Sequence, residues 1–351
     1  MKKLVISVAV MAAASAASAQ SSVTLFGVVD ATFAVGRGSK SDVTRLTNSG
    51  NASSRLGFRG TEDLGGGRSA SFWLEASVSN DDGRGAATNA NNQASGGALA
   101  GIGGGQGVTF NRRSTVSLTD KWGELRLGRD YTPQFWNTAL FDPFGYIGVG
   151  ATQTTVNITG ITTARASNTI GYLLPGNLGG FYGQAQVYLG ENSSNTLTES
   201  DGGGVGVRLG YASGPVSVAI ALGRTSYAAG DIRQNNIGGE WNFKVAKAMF
   251  HIASDRNGLV DGKGWLIGGV VPVGVGEIRT SYSGYQTNAA GNPETWKLAL
   301  GYVHNLSKRT ALYATYARVE NDGGAAVGLN ASVTAPNNSS SGMDFGLRHV
   351  F

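Results

Sequence analysis

Residues capable of covalent chemistry are scarce in this chain of 351 amino acids. It has no cysteine and three histidines, His251, His304 and His349. The lack of cysteine excludes disulfide scaffolds, cysteine nucleophiles and cysteine-based zinc sites. The sequence also lacks the G-x-S-x-G, H-E-x-x-H and G-x-G-x-x-G motifs of common hydrolase, metalloprotease and dinucleotide sites. It therefore predicts no catalytic residue, no metal site and no cofactor, and indicates that the protein is not an enzyme.

Arginine offers a different chemistry, which is electrostatic recognition without bond making. The chain carries 28 Lys and Arg against 23 Asp and Glu, a formal net charge of +5. A guanidinium keeps its charge in a confined site and is less strongly hydrated than an ammonium. Four arginines stand beside alternating stretches, where they could share one surface: Arg55, Arg112, Arg113 and Arg165. Whether they meet depends on the elements that carry them.

Alternation of apolar with polar or small residues is the main structural signal. Val216, Val218, Ile220 and Leu222 share one parity, and small residues occupy the other. A β-strand turns successive side chains to opposite faces, so such a stretch has one apolar face and one polar or small face. The 55 glycines interrupt nearly every helical window. The chain is therefore predicted to be all-β.

Sixteen such segments can be placed along the chain. Most span about 9–12 residues, the length of a tilted strand that crosses a membrane. Short and long connections alternate, as in a membrane barrel with short turns at one rim and long loops at the other. An even count lets the sheet close, so that no backbone edge is left unsatisfied in lipid. We predict a 16-stranded antiparallel transmembrane β-barrel with an aqueous lumen. Its strands are placed at residues 22–36, 53–63, 68–79, 111–120, 124–131, 166–174, 180–190, 204–212, 215–224, 235–243, 244–254, 263–272, 274–284, 294–304, 309–320 and 342–351.

Residues 1–19 are predicted to be a cleaved signal peptide. Lys2 and Lys3 precede an apolar run at residues 4–17, and the run ends in the sequence ASA, which is a typical cleavage site. Residues 20–351 then form a single barrel domain. The leader indicates bacterial export.

Four short stretches resemble a known family. Residues 54–65 read SRLGFRGTEDLG, residues 23–27 read VTLFG, residues 127–129 read LGR, and the last residue is Phe351. In this order and spacing they are similar to the Gram-negative general diffusion porins, in particular the beta-proteobacterial (burkholderial and neisserial) branch, which includes anion-selective trimeric porins. The matching stretches extend over the whole chain after the leader.

The resemblance implies a homotrimer in the bacterial outer membrane, with a water-filled channel in each barrel for passive transport of small hydrophilic solutes. It implies that the third loop folds inward and narrows the lumen, and that the second loop reaches over the neighbouring subunit. Phe351 would be part of the signal that the barrel-assembly machinery reads in the C-terminal strand. Outer-membrane lipid and lipopolysaccharide would surround the wall.

Parity and resemblance together select the candidate residues of the pore constriction. Arg55 and Arg165 each have the parity opposite to the apolar residues of their own strand, so they point into the lumen if those residues face lipid. Both also match constriction arginines of the family. At the strand between them, resemblance favours Arg112, whereas parity favours Arg113. We keep both residues, with a slight preference for Arg112.

The third loop, at about residues 132–164, carries little charge. Its only acidic residue is Asp142, in the stretch Asp142-Pro143-Phe144-Gly145, and no charged residue follows within the loop. Because an Asp in this setting is typical of a turn, Asp142 is interpreted as a turn former in the constriction loop. A basic wall that faces an uncharged loop predicts selectivity for small inorganic and organic anions. The selectivity should weaken as salt is added, because charges are screened over about 8–10 Å at physiological ionic strength.

Two alternatives remain open. A substrate-specific channel for a sugar or a dicarboxylate would need aromatic side chains along the path, and the third loop has five: Phe135, Trp136, Phe141, Phe144 and Tyr146. The interpretation we favour is that they pack the loop against the inner wall. An outer-membrane barrel enzyme is the more remote alternative. Binding of nucleic acid is not predicted, because the basic residues form no dense patch.

Overall fold

A computed structural model describes residues 22–96, 107–153 and 160–351 of the protein. The predicted signal peptide at residues 1–19 lies outside these ranges. No helix in the described ranges is long and apolar enough to cross a membrane. The main elements are β-strands, which join in one antiparallel sheet that closes on itself.

Neighbouring strands in the wall are also neighbours in the chain. The strands are β1 (Ser22–Arg37), β2 (Val43–Asn48), β3 (Arg55–Gly65), β4 (Arg68–Ser77), β5 (Arg113–Asp120), β6 (Gly123–Tyr131), β7 (Arg165–Leu173), β8 (Phe181–Tyr188), β9 (Gly204–Ser213), β10 (Val216–Thr225), β11 (Ile232–Asn242), β12 (Lys247–Asn257), β13 (Val260–Val273), β14 (Gly276–Thr287), β15 (Glu294–Asn305), β16 (Thr310–Asp322) and β17 (Ser340–Val350). An α-helix, α1 (Pro133–Leu140), and a short 3-10 turn at Ala94–Gly96 lie in the long loops.

The sheet closes between the two ends of the chain. β1 pairs with β17 from Val28 to Arg37. Next to this ladder, the backbones of Gly27 and Phe351 exchange two hydrogen bonds of 3.0 and 3.1 Å. Closure leaves no open edge. A sheet in lipid has to be closed in this way, because no water is present to form hydrogen bonds with unpaired backbone groups.

β2 and β3 share one position in the wall, so the barrel has sixteen strand positions. Both pair with β1: β2 with the half from Ala31 to Gly36, and β3 with the half from Ser22 to Val28. Between them, residues 49–54 form an interruption. This architecture confirms the predicted 16-stranded antiparallel β-barrel.

Most strand boundaries differ from the prediction by one to three residues, and two of the differences have a clear local cause. The segment between the first two predicted strands, residues 37–52, contains β2, whose alternating sequence VTRLTN is followed by Ser49, Gly50 and Asn51. These residues are typical of turns, and they conceal the continuation of the strand. β12 starts at Lys247 rather than at residue 244, because the preceding residues form the tight turn in which the Phe243 amide donates to Ala246 at 2.8 Å.

The two faces of the wall follow the alternation of the sequence. On β1, Leu25, Val29 and Phe33 are exposed on the outer face, whereas Asp30 and Thr32 are buried on the inner face. The same rule gives the other strands an apolar outer face and a polar or small inner face. The parity of a residue therefore tells whether its side chain points to lipid or to the lumen.

The third loop folds into the barrel, as the fold prediction states. It starts with α1, where Pro133 occupies a first-turn position that tolerates the missing N–H. α1 packs on β9, β10 and β11. The loop then continues along the inner wall, with Phe141 against Gly238 of β11 and Val149 against Gly342 of β17.

The tip of this loop meets the interruption between β2 and β3. Gly148 has a φ of +66° and lies against the Gly50 carbonyl, where any side chain would overlap the backbone. Beside it, the Val149 amide donates to Oδ2 of Asp344 at 2.8 Å. The Asp30 carboxylate holds the interruption itself by accepting two backbone amides at 2.6 and 2.8 Å.

The described part of the second loop contacts the wall of its own barrel. Asn92 is fully buried, and its Nδ2 donates to the carbonyls of Ser167 and Leu189 at 3.0 and 3.2 Å. The reach of this loop over a neighbouring subunit stays a prediction, and residues 97–106 of the loop lie outside the described ranges.

Candidate functional site

Arg55 lies about halfway up the inner wall, because it begins β3 opposite Val28 in the middle of β1. Its Nε is 3.8 Å from Oε1 of Glu75 on β4, and its Nη1 donates to the Ser53 carbonyl at 3.1 Å. The side chain of Arg55 is 31% exposed and that of Glu75 is 7% exposed. The guanidinium therefore meets lumenal water, with the carboxylate held behind it.

Arg112 and Arg113 both point to the lumen, although they are consecutive. Arg113 begins β5 with lumenal parity, and its Nε is 3.6 Å from Oδ1 of Asp130. Arg112 precedes the strand, so the alternation of β5 does not constrain it. Its Nε lies 2.5 Å from Oε1 of Glu75, and its Nη2 donates to the Tyr131 hydroxyl at 2.6 Å. The structure thus places Arg112 beside Arg55, with Glu75 between them, and Arg113 beside Asp130.

Arg55, Glu75 and Arg112 form one charged group, which we call the Glu75 group. A single carboxylate lies between two guanidinium groups in it, at 3.8 and 2.5 Å. The group therefore carries one uncompensated positive charge. Trp73, on the same face of β4, donates from Nε1 to Oε2 of Glu75 at 3.1 Å and helps to fix the carboxylate.

A second group, which we call the Asp130 group, consists of Arg113, Asp130, Arg126 and Glu124. Arg126 lies between two carboxylates, with Nη1 2.7 Å from Asp130 and Nε 2.8 Å from Glu124. Two guanidinium groups here balance two carboxylates. The Asp130 group is therefore neutral, because its positive and negative charges compensate one another.

Arg165, at the start of β7, has no carboxylate within ion-pair distance in the described ranges. Its Nη2 donates to the Tyr131 hydroxyl at 2.8 Å, and its guanidinium carbon lies 4.4 Å from the centre of the Tyr131 ring. Tyr131 thus accepts hydrogen bonds from both Arg112 and Arg165. Among these residues, the Glu75 group and Arg165 each contribute one positive charge that no carboxylate compensates.

Sequence reasoning did not select Glu75, Arg126 or Glu124. Each has lumenal parity on its strand, so alternation alone could have placed it beside the arginines. Distances across the sheet were the missing information. Pairing puts Glu75 directly opposite Arg113 on β5, a relation that depends on the register between strands.

The charges of the opposite side lie beneath the third loop. The Asp142 carboxylate accepts backbone amides from Phe144 and Thr152 at 2.9 Å and from Tyr146 at 3.1 Å. Burial raises the pKa of Asp142, while these hydrogen bonds and the nearby Lys297 ammonium act to lower it. Asp142 is 3% exposed, so it holds a turn rather than facing the channel.

Lys297 of β15 is the charged partner of the loop. Its side chain is buried, and Nζ donates to the carbonyl of Val149 at 3.1 Å and also to that of Ala151. The ammonium thus joins the wall to the tip of the loop. Sequence reasoning did not select this residue.

The residues that follow Asp142 pack the loop on the wall. Pro143 lies against Gly268 of β13. Phe144 is buried in a small apolar cluster whose other members are Val149, Ala299, Ala317, Val319 and Leu329. Gly145 has a φ of +62°, which suits the turn that Asp142 holds.

The aromatic residues of the loop divide into two sets. Phe141 and Phe144 are buried against the wall, as expected. Phe135, Trp136 and Tyr146 are only half-buried. Phe135 and Trp136 pack on Tyr131 of β6, with ring centres 5.5 and 5.0 Å from its own, and Tyr146 packs on Phe135 at 5.3 Å.

Phe351 lies at the seam of the barrel. Its backbone pairs with Gly27, and its ring lies over that residue, where a larger side chain would overlap it. The ring is 40% exposed on the outer face. In the described ranges no group of three or more His, Asp or Glu could hold a metal ion.

A closed wall of sixteen strand positions around a charged aqueous lumen defines a channel-forming β-barrel of the outer membrane. Residues 7–324 match the Gram-negative porin family. Along its full length the chain is 36% identical to the whole of outer membrane porin protein 32 of Delftia acidovorans. A second relative, an outer membrane porin of Bordetella pertussis, is 26% identical over 90% of this chain and 93% of its own.

Among solved structures, an anion-selective porin from Comamonas acidovorans superposes with a TM-score of 0.82 and 34% identity, over 95% of this chain and all of that one. OmpT of Vibrio cholerae, at 14% identity and a TM-score of 0.65, shows the shared fold alone. The chain belongs to the Gram-negative porin family. It is an integral outer-membrane protein that acts as a general diffusion porin, and porins are channels rather than enzymes.

Proposed function

We propose that this porin is anion-selective, that Arg55, Arg112, Arg113 and Arg165 line its constriction, and that it catalyses no reaction. The observation that carries the selectivity is the imbalance across the lumen. The Glu75 group and Arg165 each carry an uncompensated positive charge on the wall, while Asp142 of the third loop is buried beneath that loop. The 34% identity to an anion-selective porin supports the same assignment.

The zero-current potential of single channels under a KCl gradient in planar bilayers tests this proposal. The potential should be set mainly by chloride. A unit charge about 4 Å from a passing ion changes its energy by about 1–4 kcal/mol, depending on the local dielectric constant, and reversing that charge doubles the change. Arg55→Glu and Arg165→Glu should therefore each lower the chloride preference by about ten-fold or more at low salt.

Arg256→Glu provides the matched control for those two variants. Arg256 is an exposed rim residue, paired with Asp261 at 2.5 Å at the end of β12. Reversing its charge should leave the potential close to that of the unmodified channel. A potential set by potassium in the unmodified channel, or one that neither lumenal reversal shifts, would contradict the proposal.

A substrate-specific channel for a sugar or a dicarboxylate is the second candidate. The half-buried side chains of Phe135, Trp136 and Tyr146 favour it, because ringed solutes can stack on such surfaces. Saturable block of the chloride current by one sugar, at concentrations where other sugars have no effect, would support this candidate over general diffusion.

We also propose that the chain assembles as a homotrimer. Exposed Trp and Tyr side chains mark the lipid boundary near the short turns, at Trp122, Tyr172, Tyr211, Trp241 and Tyr302. In the described ranges, the short-turn ends of β16, β17, β1, β3 and β4 expose no Trp or Tyr on the outer face. Such residues favour membrane interfaces, so their absence supports contact with another subunit there. A monomer-sized band from unheated protein on a denaturing gel would contradict the trimer.

The remaining partners concern export and insertion. We propose that residues 1–19 are removed as a signal peptide, that Phe351 contributes to recognition by the barrel-assembly machinery, and that lipid and lipopolysaccharide contact the outer face. The exposed ring of Phe351 at the seam supports the second of these. Phe351→Ala should lower the amount of folded porin in the outer membrane, and N-terminal sequencing of that porin should begin at Gln20.

A further inference from the structure

The α1 helix presents its faces in an unusual orientation. Its polar residues Gln134, Asn137 and Thr138 are buried against the wall. Its apolar residues on the other side are Phe135 and Trp136, which are half-buried, and Leu140, which is 45% exposed. A helix in a water-filled lumen would ordinarily turn its polar side to the water.

The wall fixes this orientation through polar contacts. Asn137 Nδ2 donates to the Ala219 carbonyl at 2.9 Å and to Oδ1 of Asn236 at 2.8 Å. Its Oδ1 accepts from Nε of Arg208 at 2.9 Å. Gln134 lies against Gly223 of β10, where a Cβ would overlap its amide. The helix therefore cannot roll to hide its apolar side without losing these buried hydrogen bonds.

The exposed apolar side continues into a larger aromatic surface. Phe135 stacks on Tyr131, with an interplanar angle of 8°, and its ring centre is 5.3 Å from that of Tyr146. Trp136 lies against Tyr131 as well, with ring centres 5.0 Å apart. We call these four residues the aromatic patch. Tyr131 ends β6 and the other three belong to the third loop, so the patch lies where the loop leaves the wall.

Positive charge adjoins the aromatic patch directly. Arg112 and Arg165 both donate to the Tyr131 hydroxyl, at 2.6 and 2.8 Å. Arg165 has no carboxylate partner in the described ranges, and there its buried Nε has no hydrogen-bond partner at all. A guanidinium of this kind can bind a carboxylate oxygen without first breaking an ion pair.

We propose that the aromatic patch and Arg165 form a subsite for aromatic monocarboxylates, compounds with a flat ring attached to one carboxylate. The carboxylate binds the guanidinium groups of Arg165 and Arg112, and the ring packs on Trp136 and Phe135. This inference rests on the proposed anion selectivity and adds a class of solute to it. An inorganic anion makes only the first contact and a neutral ring only the second.

Block of the chloride current by benzoate tests this subsite, measured on single channels in planar bilayers with propionate as the reference. Aromatic pairs contribute about 0.5–1.5 kcal/mol beyond the burial of their surface. This contribution alone is a factor of about two to twelve, and burial of the ring adds to it, so benzoate should reach half-block at a concentration at least about five-fold lower than propionate does. Benzyl alcohol, which has the ring without the charge, should block no better than propionate.

Trp136→Ala should reduce the difference between benzoate and propionate to about two-fold or less. Phe135→Leu is a milder change that keeps an apolar side chain on the helix and removes a ring, and it should act in the same direction. Trp241→Ala is the matched control, because Trp241 is 49% exposed on the outer face. That variant should retain the benzoate preference in full.

The outcomes separate this inference from the proposed function. Equal block by benzoate and propionate in the unmodified channel overturns the subsite, as does a benzoate preference that survives both patch variants. Block by benzyl alcohol equal to that by benzoate overturns the role of Arg165. Anion selectivity would stand in each of these cases, provided that the KCl potential of the same channels is set by chloride.

Discussion

On the wall from β3 to β7, arginine side chains reach the lumen and share carboxylates with one another. Beneath the third loop, Asp142 and Lys297 are each only 3% exposed and bind backbone groups. Both regions use the same few types of charged residue. On the wall the Glu75 group and Arg165 keep uncompensated positive charge, whereas under the loop the charges bind amides and carbonyls.

This difference teaches that the number of charges near a pore is a poor guide to its field. Asp142 belongs to the third loop, yet its carboxylate accepts three backbone amides and stabilises a turn. Glu75 is absent from the loop, yet it sets the balance of the Glu75 group by partly compensating two arginines. The partners of each charge decide whether it contributes to selectivity.

The largest effect is expected from removing the Lys297 ammonium, which holds the tip of the third loop on the wall. Lys297→Met keeps the length of the side chain but removes the ammonium that binds the Val149 and Ala151 carbonyls. Losing hydrogen bonds to a buried charged group should destabilise the docked loop by about 3 kcal/mol. Single-channel currents should become larger and noisier, because the tip of the loop leaves the wall.

Lys247→Met is the control for that experiment. Lys247 is a half-exposed residue near a short turn, and it pairs with Glu240 at 3.0 Å. Its replacement should leave the current amplitude and noise unchanged. If Lys297→Met and Lys247→Met gave the same quiet traces, the loop would be held by something other than Lys297.

A smaller effect is expected from Glu75→Gln, which increases the positive charge on the wall. The change removes the single carboxylate of the Glu75 group, so its excess charge rises from one to two and Arg55 and Arg112 both become available to anions. The chloride preference should rise about three-fold at low salt. It should fall back at 1 M salt, where the screening length is about 3 Å.

The zero-current potential measured at two salt concentrations checks this prediction. Glu240→Gln removes a carboxylate near the short turns and should change the potential little. A chloride preference that drops in Glu75→Gln would mean that the carboxylate positions the arginines rather than compensating them.

The smallest effect concerns the two consecutive arginines. Arg112→Gln reduces the excess charge of the Glu75 group to zero and removes a charge beside Arg165. Arg113→Gln acts on the neutral Asp130 group, where Arg126 remains 2.7 Å from Asp130. We expect Arg112→Gln to lower the chloride preference about three-fold and Arg113→Gln less than two-fold. Potentials recorded side by side from the two variants decide the order, and a larger loss in Arg113→Gln would reverse it.

Much of the wall could be predicted from the sequence, because alternation depends only on neighbouring residues. It gave the sixteen positions and the lumenal direction of Arg55. The exception was β2, whose pairing with β1 comes from tertiary contact and overrides the turn-like residues that follow it. Local pattern cannot show that a chain leaves a strand position and later returns to it.

The candidate site was less predictable, because it depends on distances between strands and on the path of a loop. α1 had no clear signal, since its apolar residues face the lumen and its polar residues face the wall. Lys297 lies far along the chain from the loop that it binds. Parity could not predict that the Arg112 side chain points to the lumen, because this residue lies just outside β5.

The contacts at the tip of the third loop have a consequence for the order of folding. The tip is bound by Lys297 of β15 and Asp344 of β17, and it touches Gly50 next to β1. These anchors lie on both sides of the seam that Gly27 and Phe351 complete. The loop therefore reaches its final place only when the last strand has joined the first. Before β17 pairs with β1, the third loop does not narrow the lumen. Selection of solutes by size is therefore the last property that the folding barrel acquires.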